Sequence, residues 1–334
     1  MKSVFLGKSG LCVSELAMGT QTFGWGADKS AACEMANAYV EAGGSFFDTS
    51  STYNGGLSES MLGDWVRERG NRQAVVIASK VFFPTGPGPN DAGLSRGHVL
   101  RTAEESLRRL KTDYIDIYQA HCFDRSTPLE ETLRAFDDLV RSGKVHYIGA
   151  SNYAPAQLMK ALMTSATHGW ASCCALQAEY SLLVRSAEWE LLPLCREEGV
   201  GFLAWSPLAG GWLTGKYGRD RAASPESRVG RADRWDDLPA QRESEQGWRV
   251  IDTLIAVAKR IGKTPTQVAL NFLLNGPDPV IPIFGARTFA QLKENLGASG
   301  WELPKGDRDA LARASDVPLP YPYSFIERYT RKRE

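Results

Sequence analysis

Eight times along this chain a short apolar run of strand length precedes an amphipathic segment of helical length, and that alternation limits the possible folds more than any other feature. The runs are Glu15 to Thr20, Ser45 to Thr49, Ala74 to Lys80, Ile115 to His121, Val145 to Ser151, Ala175 to Glu179, Val200 to Trp205 and Val280 to Phe284. The helical stretches are Ala31 to Glu41, Glu59 to Arg69, Gly97 to Leu110, Pro128 to Ser142, Pro155 to Ser165, Glu188 to Glu198, Glu245 to Ile261 and Gln291 to Leu296. In Arg101 to Leu110, for example, Ala103, Leu107 and Leu110 recur at helical spacing while Glu104, Arg108 and Arg109 take the wet side. Repeated β-α units of this kind feed a parallel sheet. The expected class is α/β, a (β/α)₈ TIM barrel in one domain over residues 1–334, a length that such barrels reach.

Ahead of the first unit, Ser3 to Val13 carries two apolar runs around Gly7-Lys8-Ser9-Gly10 and reads as an N-terminal β-hairpin able to plug one end of the barrel. Two irregular segments, Phe83 to Ser95 and Leu208 to about Arg242, follow strands and so belong to long loops on the C-terminal face, where barrel enzymes carry their chemistry. Lys plus Arg and Asp plus Glu each number 39, a balance that supplies no net field for nucleic acid or an anionic membrane and leaves a small molecule as the expected partner. The six cysteines form no C-x-x-C pair and have no His at ligand spacing, so no metal site is expected. Gly7 and Lys8 break the first apolar run, and no apolar stretch of about 18 residues follows, which reads as cytoplasmic.

Three strands end on residues that a buried strand should avoid: Asp48, Lys80 and His121, with Tyr53 five residues after Asp48. An Asp or Lys buried alone costs several kcal/mol, so they call for mutual pairing or a function. On neighbouring strands their ends converge on one mouth, where Asp48 can pair with Lys80. A free tyrosine titrates at about 10 and is a poor acid at neutral pH, but a lysine cation beside it stabilises the phenolate. Lys80 thus makes Tyr53 a usable proton donor, while His121 is suited to orienting a carbonyl by hydrogen bonding or assisting a proton relay.

The segments Asp48-Thr-Ser-Ser-Thr-Tyr53-Asn-Gly-Gly-Leu-Ser58-Glu59, Ser79-Lys80 and Gln119-Ala-His121 resemble the aldo-keto reductase signature, and the likeness runs from Gly7 to about Leu296. The resemblance implies a barrel that moves hydride from NADPH to an aldehyde or ketone, with Asp48, Tyr53, Lys80 and His121 as the catalytic tetrad. It also implies a cofactor site. Ser151, Asn152 and Gln177 would hold the carboxamide, Tyr180 would stack on the nicotinamide, and Trp205, Ser206, Pro207 and Leu208 would follow at the end of the seventh strand. Gly210 to Lys216 matches G-x-x-x-x-G-K, but Tyr217 stands where a phosphate loop needs Ser or Thr, and a charged stretch follows where it needs a helix. The resemblance makes it the loop over the cofactor pyrophosphate, with Lys216 in contact. No G-x-G-x-x-G fingerprint is present, which argues against a Rossmann dehydrogenase.

After the eighth strand, Gly285, Arg287, Gln291, Glu294 and Asn295 open a helix, a place suited to anions. Family members bind the adenosine 2′-phosphate and adenine there. This chain has Gly285 and Gln291 where the best-known branch has Lys and Arg, so Arg287 is the candidate for the 2′-phosphate of NADPH or NADP⁺. Trp25, Phe82 and Phe83, with Trp212 and Phe123, are candidates for an aromatic substrate pocket. Aryl aldehydes, deoxysugar ketones and pyridoxal-like compounds all fit, and a homo-oligomer is compatible with the sequence. The same branch resembles potassium-channel β subunits, so the alternative to a reductase is a cofactor-binding regulatory subunit.

Overall fold

The computed structural model describes residues 1–217, 219 and 244–330. The expected rim segment Leu208 to Arg242 therefore lies largely outside the described residues. Eight parallel strands close into a barrel: β3 (Ala17–Gly19), β4 (Phe46–Asp48), β5 (Val76–Val81), β6 (Ile115–Ala120), β7 (Val145–Ser151), β8 (Cys173–Glu179), β9 (Gly201–Trp205) and β10 (Val280–Gly285), which pairs back onto β3. Helices stand between them, α1 (Lys29–Glu41), α2 (Leu57–Arg69), α3 (Arg96–Leu110), α4 (Leu129–Arg141), α5 (Pro155–His168), α6 (Leu191–Glu198) and α7 (Glu245–Ile261) among them. The fold is a (β/α)₈ TIM barrel.

Alternation of side chains along a strand divides the core in two. The larger cluster fills the space between strands and helices, with Tyr39, Phe47, Trp65, Tyr118 and Phe136 in it. Phe46, Ala78, Ile117, Ala175 and Leu203 face inward and fill the barrel's lower interior with Leu6 and Val13. Those last two come from the hairpin of β1 (Ser3–Phe5) and β2 (Cys12–Ser14), which closes the N-terminal end. Its turn packs backbone to backbone: Lys8 N–H donates to Gly199 O at 2.7 Å, and a Cβ on Gly7 would lie 2.3 Å from that same oxygen.

Among the described residues three helices, Pro265–Leu274, Lys305–Ala314 and Tyr323–Tyr329, go beyond the eight expected ones. Pro265–Leu274 (α8) opens with Thr264 and Gln267 hydrogen-bonded to each other's backbone, a Ser/Thr-x-x-Gln box with Pro at the first helical position. Phe289–Leu296 (α9) follows β10, and Lys305–Ala314 (α10) and Tyr323–Tyr329 (α11) complete the described chain. The expected helix from Glu188 starts instead as a tight turn, Ser186–Glu188, and becomes helical at Leu191. No described helix is long and apolar enough to cross a membrane.

Candidate active site

Two residues above the inward-facing layer, the same alternation places Asp48 over Phe46, Lys80 over Ala78, Gln119 over Ile117 and Gln177 over Ala175. An apolar interior thereby gains one polar layer just below the C-terminal mouth. Lys80 and Gln119 are fully buried, and Asp48 and Gln177 are 2% exposed. The Lys80 ammonium has three donors and spends them on Asp48 Oδ2 at 2.6 Å, the Thr49 carbonyl at 2.8 Å and Tyr53 Oη at 3.1 Å. Burial by itself pulls the lysine down, but the Asp48 charge and the Tyr53 oxygen outweigh it and hold the ammonium above its ordinary value. Asp48 Oδ1 accepts from Gln177 Nε2 at 2.8 Å and Gln119 Nε2 at 3.5 Å. The buried ion pair is thus hydrogen-bonded on both sides, the condition under which such a pair is tolerated.

Tyr53 reaches this layer from the turn after β4. Asn54, Gly55 and Gly56, all at positive φ, carry the chain from Tyr53 into α2, and the Asn54 amide donates to the carbonyls of Gln21 and Phe23. On the outer face of β5, Ser79 Oγ donates at 2.5 Å to Glu59 in the first turn of α2, and Arg109 Nε donates to its other oxygen at 2.7 Å. Glu59 is fully buried. It ties the helix that follows Tyr53 to the residue beside Lys80. His121 begins the loop after β6, its ring 6.0 Å from that of Tyr53 and 4.8 Å from that of Phe83. Burial, with the Lys80 charge adding to it, holds the imidazole well below its ordinary value, so the ring is neutral at pH 7.

Beside this layer a groove of about 340 Å³ runs between the ends of β9 and β10. It is lined by Trp25, Ser206, Pro207, Leu208, Lys216, Gly285, Arg287, Gln291, Glu294 and Asn295, which brings ten of the sequence candidates together. Gly210, Gly211 and Thr214, from the loop expected over the pyrophosphate, line it too, as do Thr22 and Thr266, which were not among the candidates. Gly211 sits at φ +100, a conformation that favours glycine, and a Cβ there would fall 2.7 Å from Lys216 Nζ. The Arg287 guanidinium lies 5.7 Å over the Trp25 ring, and its backbone N–H donates to Gln291 Oε1 at 2.8 Å. Ser151 ends β7 beside Gln177 of β8, and Asn152 follows it. The Asn152 amide donates to Ser151 Oγ and the His121 carbonyl, and its oxygen accepts from Trp205 Nε1 at 3.0 Å. Non-glycine residues at positive φ cost of order 1–3 kcal/mol each. Of the five described, Asn54, Asn152, Ser206 and Ala209 sit on this face, and Lys111 is a helix cap.

Three aromatic candidates lie elsewhere. Tyr180 was expected to stack on the cofactor, but it stands an odd step past inward-facing Gln177 and turns outward. Its ring meets Phe202 in the outer core, and its hydroxyl donates to Glu188 at 2.6 Å. Trp25, expected against substrate, lines the groove with Arg287, and Trp212 packs on Tyr217 and Trp248. Phe83 meets the His121 ring, and Phe82 packs edge-on against Phe83 and on the outer core.

Residues 15–316 match the model of the Aldo/keto reductase family. The chain belongs to that family. An uncharacterized oxidoreductase of Bacillus subtilis is 39% identical over 326 residues, 95% of this chain and 96% of its own length. The "Probable voltage-gated potassium channel subunit beta" of Arabidopsis thaliana is 35% identical over 88% of this chain and 89% of its own, and the norsolorinic acid reductase of Aspergillus flavus 29% identical over 95% and 82%. Membership and these relatives make carbonyl reduction the general chemistry and an oxidoreductase the general class.

Proposed function

We propose that this aldo/keto reductase reduces an aldehyde or ketone to the alcohol with NADPH, and that Tyr53 gives the proton. The observation that carries the reading is the triple engagement of Lys80 with Asp48, Thr49 and Tyr53 in a buried layer at the barrel mouth. NADPH would supply the hydride. Tyr53 Oη would protonate the carbonyl oxygen, and the ammonium 3.1 Å away would stabilise the phenolate left behind. Asp48 would keep the ammonium in place and balance its charge. His121, neutral, is suited to orienting the carbonyl and not to delivering a proton. Phe82 and Phe83 would wall the substrate side.

The groove's residues fit the cofactor. Lys216 and Arg287 put cations at two points of a lining whose one carboxylate is Glu294, and a dinucleotide with a pyrophosphate and a 2′-phosphate requires such cations. Ser151, Asn152 and Gln177 would take the carboxamide. The Gln177 nitrogen is committed to Asp48, so its oxygen is the atom left for an amide N–H. Trp205, inward-facing at the end of β9 and bonded to Asn152, takes the stacking role in place of Tyr180. Ser206, Pro207, Leu208, Gly285, Gln291, Glu294 and Asn295 would complete the cofactor's bed, inside a cytoplasmic protein that needs neither metal, nucleic acid nor membrane.

Following NADPH absorbance against aldehydes, ketones and keto-sugars, with NADH run beside it, tests the reading. Multiple turnover with at least one class, faster with NADPH, is expected; stoichiometric NADPH binding without consumption by any of them would refute it. The channel-subunit likeness supports a second reading, a cofactor-loaded regulatory subunit, which instead requires cofactor retained through purification and stable capture of a channel protein.

A further inference from the structure

We infer that Ser50 is a positioning residue that sets the tautomer of His121, leaving the ring's proton on Nε2. The inference rests on the carbonyl-reduction reading for the choice of tautomer and for its turnover arm, while its spectral arm is read without substrate. Ser50 is fully buried, and its Oγ lies 3.3 Å from His121 Nδ1. Phe83 and Tyr53 meet the ring edge-on at 4.8 and 6.0 Å between centroids, so the imidazole is confined with one nitrogen toward Ser50.

A neutral imidazole has one donor and one acceptor nitrogen, and what one of them bonds decides what the other can do. The Ser50 oxygen accepts from the Thr52 backbone N–H at 3.4 Å, and Thr52 Oγ1 lies 3.3 Å away as a partner of either sense. With Ser50 accepting from Nδ1–H as well, its own proton turns to Thr52 and Nε2 is left bare. With Ser50 donating to Nδ1, Thr52 Oγ1 supplies the second acceptor bond and Nε2 carries the proton. Both arrangements satisfy the serine. They differ at the substrate, because a carbonyl oxygen only accepts, and only the second gives it a hydrogen bond from His121. The Ser50 carbonyl meanwhile accepts from the Tyr53 backbone N–H at 3.2 Å. One residue therefore contacts both the proton donor's backbone and the orienting ring.

The experiment is long-range ¹H–¹⁵N spectroscopy of the full-length protein without substrate. The chain has four histidines, and a His121→Asn variant identifies the resonances. The expected wild-type pattern at neutral pH is an unprotonated Nδ1 and a protonated Nε2 on His121. Ser50→Ala should mix or invert that pattern and lower turnover by roughly 10- to 100-fold, the loss typical when the partner orienting a metal-bound histidine is removed. NADPH affinity should stay unchanged, and Ser50→Thr, which keeps the hydroxyl, should restore the wild-type pattern. A proton on Nδ1 in the wild type overturns the inference outright. So does a Ser50→Ala protein that keeps the wild-type tautomer, or one whose tautomer changes with turnover intact. Since the spectrum is read without substrate, its result is separate from whether any carbonyl is reduced.

Discussion

Replacing Lys80 with Met keeps the stem's bulk while deleting the charge, and the structure sets two distinct consequences. The first is electrostatic. At the 3.1 Å between Nζ and Tyr53 Oη, Coulomb's law with an effective dielectric near 20 gives about 5 kcal/mol between an ammonium and a phenolate. Asp48, 2.6 Å on the other side, cancels part of it, so a loss of roughly 10²- to 10⁴-fold in kcat follows at about 1.4 kcal/mol per decade. The second is structural. Asp48 is left buried, still facing the Gln177 amide but without its counter-ion, and breaking such a pair from one side costs about 3–5 kcal/mol. Initial rates with saturating NADPH and carbonyl measure the first, and denaturant midpoints measure the second. The double variant Asp48→Asn with Lys80→Met separates them. With both charges gone it should recover most of the stability and none of the rate. A Lys80→Met enzyme turning over within a factor of ~3 of the wild type, in kcat and kcat/KM alike, would remove the lysine as the support of a Tyr53 phenolate.

Other consequences can be read by simple means. His121 is held well below its ordinary value, so its NMR resonances should show no inflection between about pH 6 and 8. The unfolded chain takes up that proton first as pH falls, so the histidine's contribution to stability is complete above about pH 6.5 and is lost progressively below it, which acid-side denaturation curves will show. Arg287→Ala should weaken NADPH binding by roughly 10- to 100-fold and leave NADH nearly unaffected, since a charge-assisted bond to a phosphate is worth about 1.5–3 kcal/mol. Equal losses for both cofactors, measured by fluorescence titration, would remove the arginine from the 2′-phosphate.

Asp48, Lys80 and His121 are legible in the sequence because each interrupts an apolar run at the same end of a strand, and polar residues there are too costly to be idle. The eight-unit rhythm is legible for a similar reason: strands covered on both faces leave long apolar runs that composition cannot hide. Other features need register. Counting outward from Gln177 by twos makes Tyr180 an outward residue and Trp205 an inward one, but the count requires knowing where β8 and β9 end. The box Thr264-Pro265-Thr266-Gln267 is a local signal for α8, readable without any structure. Ser50 is not readable in this way. It lies in a run of four hydroxyl residues, and its partner His121 is 71 positions away, so nothing local says which hydroxyl meets the ring. Gln119 and Gln177 likewise converge on Asp48 from strands 71 and 129 residues distant.

Whether the proton comes from Tyr53 is read by single-turnover and steady-state reduction by Tyr53→Phe beside its NADPH dissociation constant. Phenylalanine keeps the ring against His121 and removes only the oxygen that Lys80 contacts. Turnover should be abolished, with NADPH bound as tightly as in the wild type. Normal turnover in that variant would exclude Tyr53 as the proton donor.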